Sequence, residues 1–332
     1  MDGRELDAEQ AAWAMTQVLA GDATPAQIAA FAVALRTKGE TVNEVTALVE
    51  TMYEHATPFP TPAGIGDVVD VVGTGGDRSN TVNISTMAAI VVAATGIPVV
   101  KHGNRAASSA TGSADLLEAL GIGLDLPVER VGEVLAEVGI TFAFAPVFHP
   151  AMRFAGPPRR EIGVPTTFNI LGPLANPARP TAMAVGCADA RLAPVMAGVL
   201  ASRGVSALVV RGDDGLDELT TTTTSRIWEV RDGQVTEHVF DPADLGLRRS
   251  TPADLRGGPP AANAAAARRA LAGESGPVLD TVLLNAAAAV AATDGRSGSL
   301  IEAMEAALAR CRASVEAGEA VAVVDRWAAA AA

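Results

Sequence analysis

Val71-Val72-Gly73-Thr74-Gly75-Gly76-Asp77 ends a β-branched run that begins at Asp67, and the fold is read outward from it. Asp67-Val68-Val69-Asp70-Val71-Val72 is rich in β-branched residues and runs into glycines, so it reads as a strand closed by a turn. A small-residue helix over 85–95 follows, then a second strand, Ile97-Pro98-Val99-Val100-Lys101, ending in another glycine and a polar loop. Helical patterns at 115–120 and 129–138 alternate with strand-like runs at 141–145, 182–186 and 206–211. Strands alternating with helices predict an α/β protein whose mainly parallel sheet is covered by helices. Ligands of such sheets bind beyond the carboxyl ends of the strands.

The flanks differ. Residues 1–56 read as helices, with apolar positions at helical spacing over 11–19, 28–35 and 45–53. Thr24-Pro25-Ala26-Gln27 and Thr41-Val42-Asn43-Glu44 carry the capping-box pattern. Pro58, Pro60 and Pro62 then read as a linker. A hairpin is expected around Asp232-Gly233 over 226–240, and the alanine-rich stretch from about 261 is helical by propensity.

Composition narrows the function. The 332 residues are 49% apolar, enough for a large core, and the net charge of −13 disfavours a nucleic-acid surface. The polar start MDGRELDAEQ and the short, interrupted apolar runs predict neither a secretory signal nor a membrane span, so a cytoplasmic protein is expected. Cys187 and Cys311 lack metal-ligand spacing, and four histidines are too few for a rich nitrogen cluster. Any divalent ion would have oxygen ligands.

Five segments could carry chemistry. The glycine turn lets backbone N–H groups converge on phosphate, although an ordinary tight turn would look the same. Its spacing is neither G-x-G-x-x-G nor a P-loop. Asp77 would repel a bare phosphate, whereas a sugar phosphate has hydroxyls to satisfy it. Asn83-Ile84-Ser85-Thr86 opens a helix, as a cap, an anion site or both. The stretch 101–109, KHGNRAASS, places a lysine, an arginine, a histidine and hydroxyls in one loop. Asp213-Asp214-Gly215-Leu216-Asp217-Glu218 is a solvated acidic turn or, beside a diphosphate, a Mg²⁺ site. Arg159 could take a carboxylate bidentately or form a surface ion pair.

In this order, GTGGD, NISTMAA, KHGNRAASS, FNILGPLANP and GDDGLDELTTT resemble the anthranilate phosphoribosyltransferase family over nearly the whole chain. The resemblance implies transfer of the phosphoribosyl group of phosphoribosyl pyrophosphate (PRPP) to the amine of anthranilate, in tryptophan biosynthesis. It assigns Gly73, Gly76, Asp77, Thr81, Asn83, Ile84, Ser85 and Thr86 to PRPP. Lys101, His102, Gly103, Asn104, Arg105, Ala106, Ala107, Ser108, Ser109 and Ser113 would close around its phosphates, with Lys101 stabilising the leaving group. Ser85, Asp217 and Glu218 would hold Mg²⁺, and Gly73, Asn104 and Arg159 would face anthranilate. The resemblance also implies a helical domain at 1–66, completed by about 166–180, beside an α/β domain at 67–332, and a homodimer formed through the helical part. Pro157-Pro158 departs from the expected single proline before Arg159, but a helix's first turn tolerates it. Two rivals share the architecture: a pyrimidine nucleoside phosphorylase-like enzyme and a noncatalytic nucleic-acid-binding relative.

Overall fold

The β-branched run forms β1 (Val69–Gly73), an interior strand of a seven-stranded sheet in a computed structural model that describes residues 3–106, 110–293 and 298–332. The other strands are β2 (Val99–Gly103), β3 (Ile140–Phe144), β4 (Ala182–Gly186), β5 (Ser206–Gly212), β6 (Ser225–Arg231) and β7 (Gln234–Phe240). Their order is β3-β2-β1-β4-β5-β6-β7; the first five run parallel, and β6 is antiparallel to both β5 and β7. The chain leaves β1 toward β2 and β3, then returns to the other side of β1 with β4. This reversal is the switch point at which parallel sheets bind ligands.

Side chains alternate between two cores. Val69, Val71, Val99, Ala182, Ala184, Leu208 and Val210 face one, which the helices Ile84–Ala94, Pro277–Thr293, Leu300–Glu316 and Glu319–Ala330 cover. Val72, Met183, Val185, Ala207 and Val209 face the other, shared with the N-terminal helices Ala8–Ala20, Pro25–Lys38 and Val42–Glu54. Burial on both faces explains why the central strands show no polar alternation. The helix Ile84–Ala94 is apolar all round for the same reason, since all but two of its eleven residues are buried.

The local signals hold. Thr24/Gln27 and Thr41/Glu44 are complete capping boxes, and Asp7/Gln10 forms a third. Asp232 and Gly233 turn the β6–β7 hairpin with φ of 50° and 72°, the left-handed pair that such a two-residue turn needs. The short helix Phe168–Leu174 lies against Val42–Glu54, where Tyr53 Oη donates to the Leu174 carbonyl at 3.0 Å. No described helix is long and apolar enough to cross a membrane.

Candidate active site

The glycine loop follows β1 at the switch point. Gly75 and Gly76 have φ of 63° and 83°, left-handed conformations that a side chain would strain. Thr74 anchors the loop to β4: its N–H donates to the Gly186 carbonyl at 3.0 Å and its Oγ1 accepts from Ala188 N–H at 3.1 Å. Asp77 is locked within the loop by Ser79, whose Oγ donates to Oδ2 at 2.6 Å. Farther along, Thr81 forms an isolated bridge with Arg256.

The acidic turn after β5 reaches back over these glycines. Asp217 Oδ2 accepts from Gly75 N–H at 2.6 Å, and Asp77, Asp217 and Glu218 present carboxylate oxygens all within 4.8 Å of one another. Asp77, which the resemblance assigns to PRPP, therefore joins the pair expected at a metal. Asp213 and Asp214 stand apart: Asp213 accepts from Thr224, and Asp214 from Thr220 and Thr222, which shapes the turn. Sequence reading also missed Asn285. Its side chain takes both the N–H and the carbonyl of Leu219 at 2.9 Å, pinning the residue after Glu218. The available signal was one amide inside an alanine-rich helix, where a buried polar group needs a partner.

Burial and mutual repulsion shift these acids. Burial and then the Asp77 charge push Asp217 up to about 7, and burial followed by Asp217 and Asp77 holds Glu218 well above its ordinary value. Glu218 Oε2 is enclosed and has no hydrogen-bond partner among the described residues. A cation resolves both problems, so the residues fit an oxygen-ligated divalent metal.

Lys101, on β2, is 1% exposed. Its Nζ donates to the Val71 carbonyl at 2.6 Å and to Ser85 Oγ at 3.3 Å, leaving one of three donors without a partner among the described residues. Burial lowers its pKa to about 8, against the pull of Asp70, Glu218 and Asp217. Ser85 and Lys101 thus stand beside the acidic group. His102 does not. The two-residue period of a strand turns it to the opposite face, where Nδ1 meets the Gly172 carbonyl at 3.0 Å. Since a carbonyl only accepts, Nδ1 carries the proton, and the buried Nε2 is an acceptor without a partner among the described residues. Burial and the neighbouring His149 hold the ring's pKa near 3, so it is neutral.

The rest of the lysine loop is braced by Asp115. Its Oδ2 accepts from Ala106 N–H at 3.0 Å and from Gly112 N–H at 2.8 Å, at the start of the helix Ser113–Ala119. Arg105 is taken by Glu118 at 2.6 and 2.8 Å, away from the carboxylate group. Asn104 is exposed, and its Oδ1 accepts from Arg105 N–H. Ala107, Ser108 and Ser109 lie outside the described residues. The Asn83 side chain is committed to structure, donating to the Thr111 carbonyl and accepting from Asn263. The Ile84 N–H is committed too, donating to the Val82 carbonyl at 2.8 Å; Thr86 Oγ1 is enclosed without a partner among the described residues.

Arg159 lies on the helix Gly156–Ile162, with Pro157 and Pro158 in its first turn and its own N–H bonded to Ala155 O at 3.2 Å. The two prolines are accommodated as expected. Partial burial lowers its pKa, and no ion pair or side-chain hydrogen bond engages its guanidinium among the described residues. A desolvated, unpaired guanidinium is suited to an incoming carboxylate.

Residues 1–56 match the helical bundle domain of a glycosyl transferase family, and residues 65–321 match its a/b domain. An anthranilate phosphoribosyltransferase of a Nocardioides species is 61% identical over 99% of this chain and 95% of its own length. An Arthrobacter relative of the same name is 56% identical over 98% of this chain and 92% of its own. The crystal structure of anthranilate phosphoribosyltransferase from Thermus thermophilus superposes with a TM-score of 0.91 at 43% identity, covering 99% of this chain and 96% of that one. The Saccharomyces cerevisiae enzyme, solved in complex with PRPP and Mg, shares the fold with a TM-score of 0.85 at 24% identity, over 98% and 92% of the two chains. The chain belongs to the anthranilate phosphoribosyltransferases, within the glycosyl transferase family.

Proposed function

We infer that this chain transfers the phosphoribosyl group of PRPP to the amine of anthranilate, forming N-(5-phosphoribosyl)anthranilate and pyrophosphate. One observation of the site carries the reading: Asp77, Asp217 and Glu218 converge with Lys101 on a glycine-rich strand end. A carbon–nitrogen bond forms at the anomeric carbon as the carbon–oxygen bond to pyrophosphate breaks. The amine's surplus proton goes to solvent or a neighbouring base.

An aryl amine already has a free lone pair at neutral pH, so the demand lies in the leaving diphosphate. Lys101 and the loop N–H groups meet that charge, and the site mainly orients the two reactants. Asp217 and Glu218, with Ser85 and the newly recognised Asp77, would hold Mg²⁺. When bound, it would neutralise the diphosphate. Gly73, Gly76, Thr81, Asn83, Ile84, Thr86 and Ser113 would surround PRPP. Gly73, Asn104 and Arg159 would face anthranilate, Arg159 at its carboxylate.

The decisive experiment follows the loss of anthranilate fluorescence with and without PRPP and Mg²⁺. Loss that requires PRPP supports the reading. Phosphorolysis of a pyrimidine nucleoside without anthranilate consumption would overturn it.

The architectural reading is a helical unit at 1–66, completed by about 166–180, beside an α/β unit at 67–332. The protein would work in the cytoplasm, which suits two buried, unpaired cysteines. A homodimer through the helical part accounts for Trp13, 66% exposed on the helix Ala8–Ala20. It also accounts for the open groove of about 720 Å³ lined by Leu6, Ala8, Ala12, Thr46 and Ala47. A monomeric mass by light scattering at micromolar concentration would exclude the dimer.

A further inference from the structure

β1 and β2 part early. β1 pairs with β4, and β2 with β3, at five successive positions each, but β1 and β2 share only Val69↔Val99. Beyond that point side chains stand where ladder bonds would. Lys101 Nζ donates to Val71 O at 2.6 Å, and His102 N–H donates to Asp70 Oδ1 at 3.2 Å. Asn176 Nδ2 spans the gap, donating to Val100 O at 2.7 Å and to Asp70 Oδ2 at 2.9 Å.

Asp70 and Asn176 are both completely buried. Asn176 is itself held by its neighbours along the chain. The Gly172 carbonyl meets His102 Nδ1, the Leu174 carbonyl accepts from Tyr53 Oη and Arg203 Nη1, and the Ala175 carbonyl meets His149 Nε2. These contacts bind carbonyls at and just beyond the end of the helix Phe168–Leu174, where the helical ladder runs out. Asp70 is thus the acceptor that joins the glycine strand, the lysine strand and a braced third segment.

We propose that Asp70, oriented by Asn176, is a positioning residue for phosphoribosyl transfer: it sets the spacing of the parted strand ends that carry the glycine loop and Lys101. This rests on the transferase reading above. Both Asp70 oxygens accept, so an amide of the same shape must turn an NH₂ toward either the His102 N–H or the Asn176 NH₂. A misplaced lysine still attracts a polyanion, whereas orientation at a reacting carbon tolerates little displacement. Turnover should therefore suffer more than binding.

The experiment compares wild type, Asp70→Asn, Asn176→Ala, Asn176→Asp and the double variant Asp70→Asn with Asn176→Asp, each normalised to folded protein by circular dichroism. Asp70→Asn should lower kcat about tenfold or more while the PRPP KM moves less than about threefold. The double variant should recover part of the loss, because exchanging the two groups restores a carboxylate acceptor facing an amide donor. Its effect should fall short of the summed single effects. Should Asp70→Asn not fold, the same comparison is read from Asn176→Ala and the double variant. Unchanged kcat in the folded variants, equal losses in kcat and binding, or a set in which none folds would overturn the idea. If wild type itself does not consume anthranilate, the transferase reading fails instead.

Discussion

Asp217 Oδ2 accepts the backbone N–H of Gly75 at 2.6 Å, across 142 positions of sequence, so the acidic turn and the glycine loop form one unit. Glycines make this approach feasible. A Cβ on Gly73 would collide with Asp217 Oδ2, and one on Gly186 would run into the Asp217 backbone carbonyl.

Gly186→Ala cannot be absorbed by a side-chain rotation, because its obstacle is backbone. We expect a stability loss of about 1–3 kcal/mol by urea unfolding, together with weaker Mg²⁺ binding by calorimetry. Gly73→Ala meets chiefly the Asp217 carboxylate, which can swing away, with the Asp217 backbone carbonyl farther off at 3.3 Å. It should lose turnover with little loss of stability. Equal stability losses for the two would contradict this account of the contact.

The buried acids make stability depend on pH. Asp217 rises from 3.8 to about 7 on folding, and Glu218 rises too. A raised carboxyl favours the folded state below its unfolded value, and that contribution is lost as pH rises through the folded value. Metal-free wild type should therefore lose Tm between about pH 4 and about pH 7. Asp217→Asn with Glu218→Gln should flatten the fall, and added Mg²⁺ should restore Tm only in wild type. A double variant with the wild-type pH slope would place the titration elsewhere. The same variant should lose turnover at limiting Mg²⁺.

Lys101 titrates near 8 in the free protein, being cationic below that pH. If its charge assists the leaving diphosphate, kcat/KM for PRPP should decline as pH rises through about 8. Lys101→Met keeps much of the buried stem and should cut kcat about a hundredfold or more. A folded Met variant with wild-type turnover would remove Lys101 from the mechanism.

Arg159→Ala should raise the anthranilate KM about tenfold to a hundredfold, the loss of a charge-assisted contact worth about 1.5–3 kcal/mol. The PRPP KM should stay near wild type. Steady-state kinetics with each substrate varied separately read both numbers. An unchanged anthranilate KM would move the carboxylate contact to another residue.

Much of the fold was legible because its signals are local. The Thr24 and Thr41 caps, the Asp232-Gly233 turn and the apolar central strands each follow from a few neighbouring residues. The Asp217-Glu218 turn was legible as a metal candidate because so much negative charge in one turn needs a reason. Asp77 was read separately from it, because nothing nearby in sequence reveals a carboxylate placed next to it by a distant strand. Arg105, promising as a loop cation, is bound by Glu118, a residue of the following helix.

Sequence alone thus determined which segments are helix and strand, since backbone preference, capping and burial periodicity act over a few residues. It also placed the glycines and hydroxyls at strand ends, where phosphate chemistry is expected. Only the tertiary structure decided that Lys101, and not His102, faces the carboxylates beyond the early parting of β1 and β2. It alone brought Asp77 to Asp217 and Glu218, and Asn176 to Asp70. Those relations depend on the order in which strands assemble and on desolvation within the assembled core, and neither is written in any short stretch of chain.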